Sequence, residues 1–473
     1  MKEAMSHEED AIDVLVVGSG LAGLTAAITA RQEGAELVLI AESQDIVGGS
    51  TRLCDGMILG ANTRLQRKHG IEDSAKNFFN EYMAWTQWEL PGGLIRAFTE
   101  ESGPAIDWLE EQGVEFHDLV IYGGSENIPR GVVAKEKGQG IVNVLAAKAK
   151  SLDIDIAIGQ PVKSLIIRDG AVVGAVVGED EVFARSVILA SGGYGANPEK
   201  VAKWWPNATS AGDWLWYMGA DGAQGDALDF AEQANARISG FDRGLRLPHP
   251  NFVNAQEPYI PGWQVMVNAH GARFVDESSP YGAVDRAFSL NDNKGFIIFD
   301  DQALHVDPEN EMPAYKQVVP ALGKRRSASW NVPMMEEMIA KGAITQANSI
   351  AELAQKLGLP AEQLEHTIAQ YNAGTAEGID AFGKEAKFLR PIVQAPFYGK
   401  EIRPATIAAT GTGPMIDYKA RVVDHNGDPI SGLYAAGEAT GGFLGYVYAG
   451  SGNSLAGCAS FGRIAGKSAA STL

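Results

Sequence analysis

The feature that most constrains this chain is Gly18-Ser19-Gly20-Leu21-Ala22-Gly23, a GxGxxG turn set directly between an apolar strand and a helix. Residues 11–17 carry the strand, residues 25–33 an alanine-rich helix, and residues 37–41 a second apolar strand. That succession starts a parallel α/β sheet. Gly18 permits the tight turn, Gly20 lets backbone N–H groups approach a pyrophosphate, and Gly23 lets the helix pack closely on the sheet. The helix N-terminus adds positive potential. Glu42 ends the second strand, about 20 residues downstream, where a ribose diol needs an acceptor.

The choice between dinucleotides turns on two further runs. Gly48-Gly49-Ser50-Thr51 lies just past the acidic residue and suits a second loop on the diphosphate. Near the end of the chain, Gly432-Leu433-Tyr434-Ala435-Ala436-Gly437-Glu438 is a strand that delivers a carboxylate to a glycine turn. Such a carboxylate can accept hydrogen bonds from a ribityl chain, which NAD lacks. These residues favour FAD.

Composition narrows the class. At roughly 150 residues per domain, 473 residues suggest two or three domains. The chain has 39 basic and 59 acidic residues, a formal charge of −20, which disfavours a nucleic-acid or anionic-membrane partner. No apolar run approaches the ~18 residues of a transmembrane segment, and residues 1–10 form a polar tail without the apolar core of a signal peptide. Cys54 and Cys458 form no CxxC or His/Cys cluster, so neither a disulfide scaffold nor a metal site is expected. The expectation is a cytoplasmic protein. Asp169-Gly170 between two β-rich runs signals a hairpin, and residues 187–190 read as a further buried strand ending in Ser191-Gly192-Gly193. From about residue 243 to 396 the texture changes to longer loops, aromatics and helices. The glycine-rich α/β texture then returns, with a helix over residues 461–468. The expected fold is therefore α/β: a Rossmann-like FAD-binding domain formed by both ends of the chain (1–242 and 397–473), interrupted by an α+β capping domain (243–396).

The set GSGLAG, GGST, VILASGGYGAN, HGARFVDES, PFYG and GLYAAGEATGG…GSGNSLAG…FGRIAG resembles the fumarate reductase / succinate dehydrogenase flavoprotein superfamily in order and spacing, over nearly the whole chain. The resemblance implies a mobile cap over the flavin and hydride transfer between a substrate carbon and flavin N5. No His follows the GGST loop where covalently flavinylated members carry their attachment residue, so it implies noncovalent FAD. The cofactor-binding set is Gly18, Gly20, Leu21, Ala22, Gly23, Glu42, Ser43, Gly48, Gly49, Ser50, Thr51, Val162, Ser191, Gly192, Gly193, Asp226, Glu438, Ser454 and Leu455.

The reacting positions depart from the fumarate reductases, which clamp two carboxylates with arginines and histidines because a desolvated dianion needs paired positive charge. The family phrase FDDSVR aligns with residues 299–304, so Leu304 replaces its proton-donating arginine. HHTMGGVMID aligns with residues 408–417, and Ala408 and Ala409 replace both histidines. NRLGGNA aligns with residues 453–459, and Ser454 replaces the clamp arginine. His249-Pro250 survives, read as a cleft wall rather than a proton carrier. What remains is similar to the ketosteroid dehydrogenases. Tyr448-Ala449-Gly450-Ser451-Gly452 matches their Y-P-G-x-G apart from Ala449, and that resemblance implies that the Tyr448 hydroxyl and the Gly452 N–H bind a ketone oxygen. Two such donors form an oxyanion hole. Asp276-Glu277-Ser278-Ser279-Pro280-Tyr281 resembles the run that holds their base tyrosine and makes Tyr281 the candidate general base. Tyr122 is a candidate helper and Arg286 a candidate cation.

The implied activity is an FAD-dependent dehydrogenation that places a C=C bond beside a ketone, of the 3-ketosteroid Δ1 or Δ4 type. Its partners are a small hydrophobic cyclic ketone, foremost a steroid, and an electron acceptor the sequence does not specify. One alternative is an enoate reductase, fumarate- or urocanate-reductase-like, recruiting Arg403 or Arg286 as a cationic clamp. A flavin-holding subunit without turnover is the other. Two side readings accompany these. Arg273 and Glu277 form an ion pair within the cap, and Trp204, Trp205, Trp214 and Trp216 either wall a polycyclic ligand or pack as core.

Overall fold

The structure, a computed structural model, describes residues 11–124, 126–254, 260–306 and 330–473, so the polar tail lies outside it. The chain forms two compact units. The first comprises Met1–Pro206, Gly219–Gly244 and Ala409–Leu473; the second comprises Asn207–Met218 and Leu245–Ala408.

The first unit is built on a sheet whose main path runs Arg421–Val423, Pro429–Ala435, Asp180–Leu189, Ile12–Val17, Val38–Ala41, Asp155–Ala157. Ile12–Val17 sits between two parallel neighbours, with Val14 opposite both Val38 and Ser186. Val14, Leu15 and Val16 are fully buried, as a strand covered on both faces must be. Pro429–Ala435 lies parallel to Asp180–Leu189, Leu433 opposite Val187. Both ends of the chain thus share one α/β sheet. The hairpin at Asp169-Gly170 is present, joining Val162–Arg168 to Ala171–Val177. Both turn residues have positive φ, 51° and 81°, as a tight two-residue turn demands.

Helix Leu21–Gln32 buries every residue from Leu21 to Ala30. It packs on helix Asn453–Ala470 through positions without side chains: a Cβ on Gly462 would fall 2.6 Å from the Ala22 carbonyl oxygen, and one on Gly466 2.4 Å from that of Ala26. The chain's last helix begins eight residues before its expected start, because Gly452 (φ +88°) turns the backbone directly into it. The first helix likewise begins at Leu21 rather than Thr25, immediately after the glycine turn.

The second unit has its own sheet, with main path Gly244–His249, Phe397–Thr410, Gly295–Asp300, Val265–Val267. Its cores are an aromatic cluster with Trp263, Phe288, Phe299, Trp330 and Tyr398, and an aliphatic one with Leu353, Leu364 and Ile368. The expected boundaries differ from this division by Arg243 and Gly244, which fall in the first unit, and by two longer stretches. Residues 207–218 join the second unit, where Trp216–Tyr217 pairs with Thr406 and Ile407. Residues 397–408 join it as well, since Phe397–Thr410 is bonded along the whole of Gly295–Asp300, from Ile402 opposite Gly295 to Phe397 opposite Asp300. A long strand cannot be divided where its composition changes if its ladder continues. Among the described residues, no helix is long and apolar enough to cross a membrane, and no cluster of three or more His, Cys, Asp or Glu side chains is placed to hold a metal ion.

Candidate active site

The glycine turn is closed by side chains from three places in the sequence. Glu42 reaches back to Ser19, accepting from its backbone N–H at 2.9 Å and its hydroxyl at 2.5 Å. The Ser19 hydroxyl accepts from the Gly48 N–H at 3.1 Å, and Thr51 Oγ1 from the Leu21 N–H at 3.1 Å. Gly18 has φ +101°, and a Cβ on Gly23 would sit 1.9 Å from the Gly18 carbonyl oxygen. The turn therefore forms with glycine at both positions or must shift. Ser191-Gly192-Gly193, which follows the neighbouring strand and lies against Gly18, receives the Gly225 N–H on the Gly193 carbonyl at 3.0 Å, which brings Asp226 alongside. Ser50 Oγ accepts from the Ala220 N–H at 3.0 Å. Val162 opens the hairpin opposite Val177. Ser43 Oγ lies 3.5 Å from Glu42.

Glu438 follows Gly437 on the turn after the last parallel strand. Its Oε1 accepts from the Thr410 N–H at 2.8 Å and the Thr410 hydroxyl at 2.9 Å. Burial pushes its carboxyl above the ordinary range, with Thr410 opposing. A Cβ on Gly193 would meet both Thr410 Oγ1 and Glu438 Oε1 within 2.4 Å, so these segments converge on one spot. The residues present fit an FAD. Side-chain-free backbone lines the turn, and two polar atoms beside it, Ser191 Oγ and Arg52 Nε, are buried with no hydrogen-bond partner among the described residues. A diphosphate supplies the acceptors such donors need.

Tyr448 is buried, and its hydroxyl stands at the start of helix Asn453–Ala470. The oxygen accepts from the Ser454 N–H at 3.0 Å and lies 2.8 Å from Ser454 Oγ. Burial pushes the phenol up to about 12, so it stays protonated and remains a donor. A hydroxyl that accepts from a helix N-terminal amide is a stronger donor in turn. The Tyr122 segment is tied to this loop, because the Gly123 carbonyl accepts from the Ser451 N–H at 2.8 Å. Gly452, which precedes the helix, lies against Ile58 and Leu59. The first unit thus brings together Tyr448, Gly452 and Ser454, and ties the backbone beside Tyr122 to their loop. Leu455 follows on the same helix.

Tyr281 belongs to the second unit, where it is the first residue of helix Tyr281–Ser289. The loop before it is held firmly. Asp276 accepts from the Ser278 N–H and hydroxyl at 2.8 and 2.7 Å. Glu277, fully buried, binds Arg273 at 2.7 Å and Lys384 at 2.7 Å. Burial opposes ionisation of Glu277, yet the Lys384 ammonium and Arg273 guanidinium hold its carboxyl below the ordinary range. The helix is pinned by Arg246, whose backbone N–H donates to Asp285 at 3.0 Å and whose guanidinium pairs with it at 3.0 Å. Arg286 lies on the same helix.

Three positions that carry charge in fumarate reductases are apolar or neutral in place. Leu304 is packed in the aromatic core with Trp263 and Trp330. Ala409 is buried, and Ser454 binds Tyr448. His249 has both ring nitrogens engaged locally: Nδ1 accepts from the Asn251 N–H at 2.8 Å, and Nε2 lies 2.9 Å from the Val253 carbonyl oxygen. Burial lowers its pKa, in keeping with a neutral ring. Trp205 is core, packed over Gly244. Trp204 and Trp205 belong to one unit, and Trp214 and Trp216 to the other. Cys54 and Cys458 are free thiols, which burial pushes up to about 11 and about 12.

Sequence reasoning missed Glu126. This buried carboxylate accepts from the Gly123 N–H, and from the Gly124 N–H at 2.6 Å, bracing the segment under Ser451. Burial pushes its carboxyl up. The glycine pair followed within three residues by Glu was the available signal.

A model of the FAD binding domain matches residues 13–455 of this chain. The chain is similar to a probable fumarate reductase of Shewanella frigidimarina, 32% identical, over 99% of this chain and 76% of that one. It is also similar to the NADH:fumarate oxidoreductase of Klebsiella pneumoniae, 31% identical, over 97% of this chain but about half (47%) of that longer protein. Among solved structures it resembles the 3-ketosteroid-Δ4-(5α)-dehydrogenase of Rhodococcus jostii RHA1, determined with 4-androstene-3,17-dione. That likeness has a TM-score of 0.79 at 27% identity, over 97% of this chain and 96% of that one.

Proposed function

We propose, from the premise that this chain belongs to the FAD binding domain family, that it dehydrogenates a cyclic ketone at the carbon pair beside the carbonyl. The coarser statement stands by itself: it is an FAD-dependent oxidoreductase acting on CH–CH groups, as its relatives are. Bound FAD, held noncovalently, supplies a hydride acceptor at N5. Glu42, the glycine turn and Glu438 are the groups that would hold it.

The observation that carries the reading is Tyr448. Its hydroxyl is neutral, buried and polarised by the N–H of Ser454, the residue that aligns with the clamp arginine of the fumarate reductases. A neutral donor suits a ketone oxygen. For a dianion it leaves charge unpaired, which costs several kcal/mol per buried ion. In this reading Tyr448 and the Gly452 N–H polarise the ketone, each such donor being worth roughly 3–4 kcal/mol in the transition state. Tyr281 removes the α-proton, with its loop held by Asp276 and Glu277. Tyr122, hydrogen-bonded through its neighbour to the Tyr448 loop, assists. The preferred substrate is a 3-ketosteroid or a similar hydrophobic ring ketone, supported by the likeness to the Rhodococcus enzyme.

A reductase of a conjugated acid is the second reading, favoured by the sequence similarity to fumarate reductases. Dye-linked turnover separates the two. Activity with a 3-ketosteroid and none with fumarate or urocanate is the expected result; the reverse pattern replaces the first reading by the second.

A further inference from the structure

The second unit holds a cation that the acids among its described residues leave unmatched. Glu401 in strand Phe397–Thr410 is already spent on Lys294 at 3.0 Å and Arg403 at 2.7 Å. Lys400, one residue earlier, makes no ion pair or hydrogen bond with any described residue. Its ammonium instead lies 5.3 Å from the Trp214 ring centroid and 5.3 Å from that of Phe252. On the same Trp214 ring, the Arg403 guanidinium lies 4.4 Å from the centroid. The nearby His249, an imidazole that carries no negative charge, has both nitrogens engaged within its own loop.

Two aromatic faces recover part of the desolvation of an ammonium, but they offer its three N–H donors no lone-pair acceptor. Burial pulls Lys400 below the ordinary lysine value, with Glu401 opposing and Arg403 adding to the effect. A local excess of positive charge is also against the trend of a chain whose formal charge is −20. Such an excess, walled by rings, attracts an anion with a flat apolar body. The site offers a single unspent ammonium rather than a cluster of forked donors, which suits one carboxylate better than a phosphate.

We infer that Lys400, with Trp214, Phe252 and Arg403, forms a binding site for the carboxylate of a planar or aromatic monoacid. The carboxylate takes the ammonium donors while the rings cover its apolar body. The ligand is either a separate small acid or a carboxylate remote from the ketone on the substrate itself.

Titration calorimetry of the flavin-loaded protein with 3-phenylpropionate tests this, with 3-phenylpropionamide as neutral control. It reads binding without turnover, so its failure is distinct from failure of the proposed reaction. The acid should bind and the amide should not. Lys400→Met should weaken the acid about tenfold or more, the loss of a charged hydrogen bond, while Lys400→Arg should retain it. Equal binding of acid and amide, or undiminished binding to a Lys400→Met protein of normal flavin content and melting temperature, overturns the site. The acid-versus-amide comparison stands even where a variant fails to fold. Repeating the titration with 4-androstene-3,17-dione present separates the sources. Displacement of the acid by this neutral dione shows that the two sites overlap, as a substrate bearing both ketone and carboxylate requires, unchanged affinity assigns the carboxylate to a separate acid, and either result supports the site.

Discussion

The two units solve the problem of placing functional groups by opposite means. In the first, position is set by backbone and by missing side chains: Gly18 and Gly23 interlock, Gly462 and Gly466 admit the first helix, and Gly193 lies under Glu438. In the second, position is set by buried charge. Arg246 grips Asp285, and Glu277 is held by Arg273 and Lys384, with Asp380 at 2.5 Å from Arg273. A backbone cradle tolerates no added atom, whereas an ionic brace tolerates change only when both partners change together. The first arrangement suits a cofactor of fixed shape. The second suits a unit whose surface is free to vary around a rigid frame.

The sharpest way to break this contrast is a single added side chain. Gly23→Val should abolish flavin binding, because its Cβ meets the Gly18 oxygen and overpacking of a rigid contact costs about 1–3 kcal/mol or more. Flavin absorbance of the purified protein reads the outcome, and normal content would mean that the cradle yields. In the second unit, Lys384→Met should destabilise by up to about 3–5 kcal/mol, the range for a buried pair that loses one partner, with Arg273 left to hold part of the Glu277 charge, measured by denaturant unfolding or limited proteolysis. A double variant that also removes the Glu277 charge should recover much of that loss. If it does not, the brace is packing rather than charge.

Tyr448→Phe keeps the ring and removes the donor, so turnover with a cyclic ketone should fall about 100-fold or more with flavin content unchanged. Turnover near that of the parent protein removes Tyr448 from the reaction. The smallest effect concerns pH. Burial raises the Glu438 carboxyl, so the stability contributed by its protonated form is full below the ordinary carboxylate range and is lost as pH rises through the raised value. Melting of the flavin-free protein should show this decline, and Glu438→Gln, which keeps an oxygen for Thr410, should flatten it.

The same contrast decides what the sequence discloses. The glycine turn, Glu42 and the strand ending at Glu438 are local patterns whose spacing is imposed by backbone geometry, so they are readable residue by residue. Helix starts were harder. A helix that begins at Leu21 or Asn453 gains its first turn from a glycine conformation, and glycine alone does not say which way it turns. In the second unit, Lys384 and Glu277 are far apart in the chain, as are Arg246 and Asp285, and nothing periodic links them. Lys400 was equally hidden. On composition it is one more lysine of a strand, and only the rings of Trp214 and Phe252, brought to it by the fold, set it apart. Glu126 lay within reach, yet a lone acid in a loop reads as solvated until its burial is seen.

The most direct test of a ketone-binding site at Tyr448 is an anaerobic spectral titration of the flavin-loaded protein. Addition of a saturated 3-ketosteroid should bleach the flavin absorbance, and Tyr448→Phe should slow the bleaching while leaving the cofactor in place. If the ketone leaves the spectrum unchanged, and the chemically reduced protein is instead reoxidised by fumarate or another unsaturated acid, the account is contradicted.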